Sequence, residues 1–105
     1  MSNVAPLALL SAVAVLDCSL EGWILLEPNG EGPRMFRLPV SFARPFSAPP
    51  VVQVGIVGLD VSKDDNARVR VRAMDIKETG FTLHAETWWG TKIWAVDVSW
   101  VAIGS

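Results

Sequence analysis

Tyrosine is missing from this chain of 105 residues, and cysteine and histidine occur once each. One cysteine cannot close an internal disulfide, and it excludes a thiolate metal cluster. The single histidine, His84, has no Cys, Asp or second His at ligand spacing, so a structural hydrogen-bonding role is expected for it and no metal. Charge is sparse as well: 19% of residues are Asp, Glu, Lys or Arg, with a formal net charge of −2. Binding nucleic acid through a basic surface needs an excess of Lys and Arg to neutralise phosphates, and that excess is lacking. No apolar run reaches the about 20 residues that carry a helix across a bilayer, so no transmembrane segment is expected. A Gly-rich phosphate loop is also lacking, as is any nucleophile with a His and an acid placed to serve it. The chain therefore reads as a non-enzyme with no cofactor.

What is there is a surplus of apolar residues: 50% of the chain is hydrophobic, with 5 Trp. A chain of this length makes one domain, whose core has too little volume to hide all of that surface, so self-association is expected. The most apolar stretch is Asn3 to Leu16. A secretory signal would need a basic region ahead of it, yet the first Lys or Arg is Arg34. Ala12-Val13-Ala14 has the form of a cleavage site, but the apolar run before it is short. Residues 1–21 are thus read as an apolar segment, strand or short helix, packing on the domain or on a neighbouring subunit, with Cys18 buried or half-buried beside it.

From Gly22 onward, short alternating runs are separated by turn chemistry, which is an all-β pattern. Trp23 to Leu26 reads as a strand ended by the Asn29-Gly30 turn. Met35 to Phe42 returns, and Pro39 confines it to an edge or a bulge. Val51 to Val61 is apolar on both faces, the mark of a central strand or a subunit contact. Asp60 within it reads as a buried acid that caps or pins a turn. Ala67 to Met74 sends Val69, Val71 and Ala73 inward and Arg68, Arg70 and Arg72 outward. Phe81 to Thr87 and Lys92 to Ile103 follow, separated by Trp88-Trp89-Gly90-Thr91. Six antiparallel strands with hairpin spacing make a six-stranded antiparallel β-sandwich.

Phe42, Phe46, Pro49-Pro50-Val51, Leu59-Asp60-Val61, Asn66-Ala67-Arg68-Val69, Gly80-Phe81, Thr87-Trp88, Thr91-Lys92-Ile93 and Ser99-Trp100 stand in an order and spacing that resemble the H-type lectin domain. This is the family of the snail agglutinins and of the C-terminal part of the discoidins, and the resemblance covers Ser41 to Gly104. It implies that residues 22–105 form an H-type lectin-like β-sandwich assembling as a trimer, sometimes paired into a hexamer. It further implies binding of N-acetylgalactosamine or galactose in shallow sites between subunits, and an extracellular or cell-surface setting with a part in cell adhesion. Carried over by position, the sugar-binding roles fall on Arg68, Trp88, Trp89 and Trp94, with Asn29, Gly30 and Glu31 supplied by the neighbouring subunit. The disulfide of the snail members would join Ser47 and Ala85, so it is lacking, and Trp89 stands where those members have a His.

Sugars are held by hydrogen bonds to hydroxyls and by apolar packing on C–H faces, and Arg68 with paired indoles supplies both. Each residue also has a plainer reading. Trp88 and Trp89 could pack in the core or at its rim. Arg68, Arg70 and Arg72 could form a solvated ladder of charge pairs with His84 and Glu86. Trp94 and Trp100 share parity with Val96, Val98 and Ala102, which points both to the core or an interface and sets Trp94 against its family role. A trimeric structural or adhesion module that kept the fold without the sugar is the alternative function.

Overall fold

The computed structural model describes residues 7–27 and 32–105. It contains β1 (Ala8–Asp17), β2 (Arg34–Ser41), β3 (Val51–Val61), β4 (Arg70–Lys77), β5 (Gly80–Thr87) and β6 (Ile93–Gly104). They form two three-stranded sheets, in the orders β1-β6-β3 and β2-β5-β4, with every pair antiparallel. The all-β sandwich read from the sequence is the observed architecture.

Period-two alternation builds the core. Val96, Val98, Trp100 and Ala102 of β6 face Phe81, Leu83 and Ala85 of β5, and all are buried. At one end Phe42, Phe46, Phe81 and Trp100 form an aromatic cluster with ring centroids 5.1–5.9 Å apart. Burying such a side chain contributes about 1.5–3 kcal/mol, which is how so small a domain holds together without a disulfide. Pro39 lies on β2, an edge strand, where its missing N–H costs no ladder bond.

Of the two alternatives for the apolar N-terminal stretch, strand or short helix, the structure shows the strand: from Ala8 it is a full member of the sheet, paired to β6 along its whole length. The structure departs from the sequence reading at three places. Trp23 to Leu26 is not a strand but part of a turn that caps the core: Leu25 is completely buried and its carbonyl accepts the Ile93 amide. Cys18 and Asp60 are both exposed, Asp60 because its register opposite Ala95 places it on the outer face of the sheet. Finally, among the described residues only β4 and β5 are joined as a hairpin within one sheet; the other connections cross between sheets. Gly80, which opens β5, lies against the Val40 carbonyl of the neighbouring β2, leaving no room for a Cβ.

The registers bring the ends of β1, β3 and β5 and the starts of β2, β4 and β6 to one end of the sandwich. The 18–27 turn, the 62–69 connection and the 88–92 loop therefore share that end.

Candidate functional site

Arg34 is the foundation of this end. It shares parity with Phe36 and Val40, so its side chain enters the core, where it is 2% exposed. One arm, Nη1, donates to the carbonyls of Leu25 (3.3 Å) and Glu27 (2.6 Å). The other, Nη2, donates to Trp89 (2.5 Å) and Thr91 (2.8 Å). Burial pushes the guanidinium pKa down from its ordinary value, but an arginine so displaced keeps its proton at neutral pH. Nε is buried with no partner among the described residues.

Above this foundation the 88–91 loop closes on the 65–68 segment. The Thr91 hydroxyl donates to the Asn66 carbonyl (2.5 Å) and accepts from Arg68 Nη1 (3.1 Å), while the Thr87 hydroxyl donates to the Arg68 carbonyl. These side-chain bonds occupy the backbone of 66–68, and strand β4 begins only at Arg70 instead of at Ala67. Asp65 lies 3.4 Å from Arg68 and directly beneath Gly90, where any Cβ would strike its carboxylate. Trp89 adopts a left-handed backbone (φ +56°), unusual for a bulky residue. That conformation swings its indole out to 53% exposure and under the Arg68 guanidinium, whose Cζ is 5.1 Å from the ring centroid. Arg68 Nε and Nη2 make no hydrogen bond among the described residues, so an apolar face and free donors stand side by side.

Trp88 points to the outer face of the β2-β5-β4 sheet and is half-buried, with Arg70 Cζ 5.1 Å from its centroid. Arg70 also lies 3.8 Å from Glu86, so the ladder reading holds for it in addition to the stack. His84 is 4% exposed on the same face: its Nδ1 accepts from Arg37 Nε and its Nε2 donates to Glu86, each at 3.1 Å. This is the structural role its isolation in the sequence pointed to, in the neutral tautomer carrying the proton on Nε2.

Trp94 is the residue on which parity misleads. β3 pairs Asp60 with Ala95 and Val61 with Ile93, so Trp94 is the extra residue of a β-bulge and is turned out to 48% exposure. Trp100, beyond the bulge, is in the core. The structure thus brings Arg68 and Trp89 together, sets Trp88 against Arg70, and leaves Trp94 exposed at the same end. Asn29, Gly30 and Glu31 lie outside the described residues. Among the described residues no group of three His, Cys, Asp or Glu side chains could hold a metal ion.

Three participants are not named as site residues from the sequence. Asp65 stands in the polar stretch after β3, and only the three-dimensional fold places it under Gly90. Thr91 is among the residues that carry the family resemblance, but nothing local assigns its hydroxyl a partner. Arg34 carries a signal of its own, a charged residue at a core-parity position of an apolar strand.

Residues 37–103 match the model of the H-type lectin domain. The chain belongs to that family. It is 41% identical, over 77 residues covering 73% of this chain and 67% of the relative, to a protein of Fuscovulum blasticum described as ATP synthase subunits region ORF 7. The recombinant discoidin II of Dictyostelium discoideum superposes with a TM-score of 0.80 at 19% identity, covering 99% of this chain and 39% of that one. The wild-type discoidin II structure gives 0.79 at 19% identity, with 98% and 38% covered. This lectin domain therefore spans about two-fifths of the length of discoidin II and shares its fold. No helix among the described residues is long and apolar enough to cross a membrane.

Proposed function

We propose that this H-type lectin domain binds galactose-type glycans, N-acetylgalactosamine among them, at the 88–94 end of the sandwich. The observation that carries the reading is the Arg68–Trp89 pair: an indole held out of the core by its backbone, beside a guanidinium whose Nε and Nη2 are unspent among the described residues. Trp88 and Trp94 extend the apolar surface, and in this reading Asn29, Gly30 and Glu31 of a neighbouring copy complete the site.

Assembly into a trimer, or a pair of trimers, is part of the same proposal. Leu9, Val13, Val15, Val51 and Ile103 are all exposed on the outer face of the β1-β6-β3 sheet, an apolar surface that copies of this chain would cover. A shallow site is weak alone, and several held rigidly on one assembly gain by avidity on clustered glycans. The domain binds and does no chemistry.

One observation favours the second reading, a structural or adhesion module without sugar binding: each of the two loop indoles already has an arginine on it. Calorimetry with N-acetylgalactosamine and galactose separates the two. Saturable binding that Arg68→Ala and Trp89→Ala both abolish supports the lectin reading. No heat of binding at millimolar sugar, from a protein shown to be assembled, supports the other.

A further inference from the structure

Arg34 is a costly residue to keep. It is almost fully buried, one of its nitrogens has no partner among the described residues, and an apolar side chain at the same parity would pack in its place. Its bonds divide by arm. Among the described residues Nη1 serves only the Leu25 and Glu27 carbonyls, and Nη2 only those of Trp89 and Thr91. A guanidinium is a rigid planar fork, so fixing one arm fixes the other. The two backbone segments are therefore referred to a single rigid plane, and a backbone bond from the Ile93 amide to Leu25 ties them again just beyond it.

The Nη2 arm falls where the backbone is strained. A left-handed conformation at a tryptophan persists only where its surroundings impose it, and the Trp89 carbonyl is held by Arg34 itself. Glycine would relieve the strain but would remove the indole. The strain is thus kept for the sake of the ring that meets Arg68.

We infer that Arg34 is a positioning residue that couples the 25–27 turn to the 89–91 loop and, through the loop backbone, sets the Trp89 indole for sugar. The clause about sugar rests on the lectin reading above; the coupling does not. Arg34 touches no ligand, and it acts through the conformation of Trp89.

The test compares wild type, Arg34→Lys and a control, Val40→Ala, which loosens β2 at the opposite end. Lysine keeps the charge but has no fork and cannot serve both pairs of carbonyls. Backbone NMR order parameters are read at Leu25–Glu27 and Trp89–Thr91, alongside calorimetry with N-acetylgalactosamine. In wild type both segments should be rigid, near about 0.85, and in Arg34→Lys both should fall below about 0.6. Sugar affinity should weaken at least about tenfold, because a mobile indole offers the sugar its binding geometry only part of the time. Val40→Ala should leave both segments rigid and the affinity unchanged.

Loosening of only one segment, or equal loosening in the control, overturns the coupling. Loosening of both with unchanged affinity overturns the positioning role. A wild type that binds no sugar, but whose Arg34→Lys form loosens both segments, overturns the lectin reading and leaves the coupling standing. Should Arg34→Lys fail to fold, the wild type still decides. A guanidinium held on both arms cannot turn about its Cζ–Nε bond, so separate Nη1 and Nη2 proton signals are expected, and averaged ones overturn the coupling.

Discussion

The two outer faces of this sandwich are built from the same alternating strands and have opposite chemistry. On the β2-β5-β4 sheet the rows run Arg37–His84–Arg72 and Met35–Glu86–Arg70. On the β1-β6-β3 sheet they run Leu9–Ile103–Val51, Ser11–Val101–Gln53, Val13–Ser99–Gly55 and Val15–Asp97–Gly58, with Asp97 the one charge among them. The first face completes itself: His84 is buried between its strand neighbours by donating to Glu86 and accepting from Arg37. The second leaves Val13 60% exposed and Val51 64% exposed with nothing of the described chain over them. The core constrains only every second residue of a strand, so the other half is free to specialise. One outer face carries charge pairs, and the other leaves large aliphatic side chains exposed.

The largest effect expected from that contrast is on assembly. Val13→Asp places a charge in the middle of the apolar face, where an interface core cannot desolvate it without a partner, and size-exclusion chromatography with light scattering should show dissociation to monomers. Arg72→Glu on the other sheet should leave the oligomer intact. If both variants remain associated, the apolar face is not the contact; if both dissociate, the division of labour between the sheets is wrong.

Next in size is the self-sufficiency of the charged face. His84→Leu removes the partner of a Glu86 oxygen on a largely shielded side chain, while the exposed Arg37 Nε turns to water, which should cost about 0.5–1.5 kcal/mol in urea unfolding. The same experiment on Val15→Thr, on the apolar face, should move monomer stability by less than about 0.5 kcal/mol, since a surface position away from special features contributes little to it. A reversal of that order would mean that the apolar face is stabilised within the single chain.

Much of this is legible in the sequence. The strand read as Val51 to Val61 has those bounds, and β2, β5 and β6 lie within a residue of their reading, because each alternates or is bounded by Gly and Pro. The rest fails for identifiable reasons. The N-terminal stretch is apolar on both faces, so it carries no alternation to choose between the strand and the short helix that the sequence allows. Trp23 to Leu26 is as apolar as a strand because a turn over the end of a core is buried like one. Counting in twos from Val96 turns Trp94 inward, and one bulge residue is enough to reverse the count. In the site, Arg68 and Trp89 are visible as types, but their stacking depends on a left-handed backbone that a tryptophan gives no reason to expect. Asp65 and Thr91 depend on loop closure, which no local pattern encodes.

The smallest effect concerns the rim where the apolar face ends. Asp17 and Asp60 lie on either side of Ala95 in the last row of that sheet, so the face gives way to acids toward the proposed sugar site. Asp17 is the better tied of the two: the Ser19 hydroxyl and the Ser19 amide (2.9 Å) both donate to its Oδ1. Those bonds favour the ionised form and lower its pKa from the ordinary carboxylate value, with burial acting weakly the other way. A depressed folded pKa means that the unfolded chain takes up the proton first as pH falls. The stabilisation is then fully present above the unfolded pKa, about 3.9, and is lost as pH drops through the folded one. Asp17→Asn should therefore flatten a small part of the acid limb of stability, seen as a narrower gap between urea midpoints taken at about pH 6 and about pH 3, across the range where carboxylates titrate. Ser19→Ala should do the same by removing the hydroxyl donor, without touching the charge. A Ser19→Ala profile that overlays wild type would show that the Ser19 hydroxyl contributes nothing and that the backbone amide alone ties the rim acid.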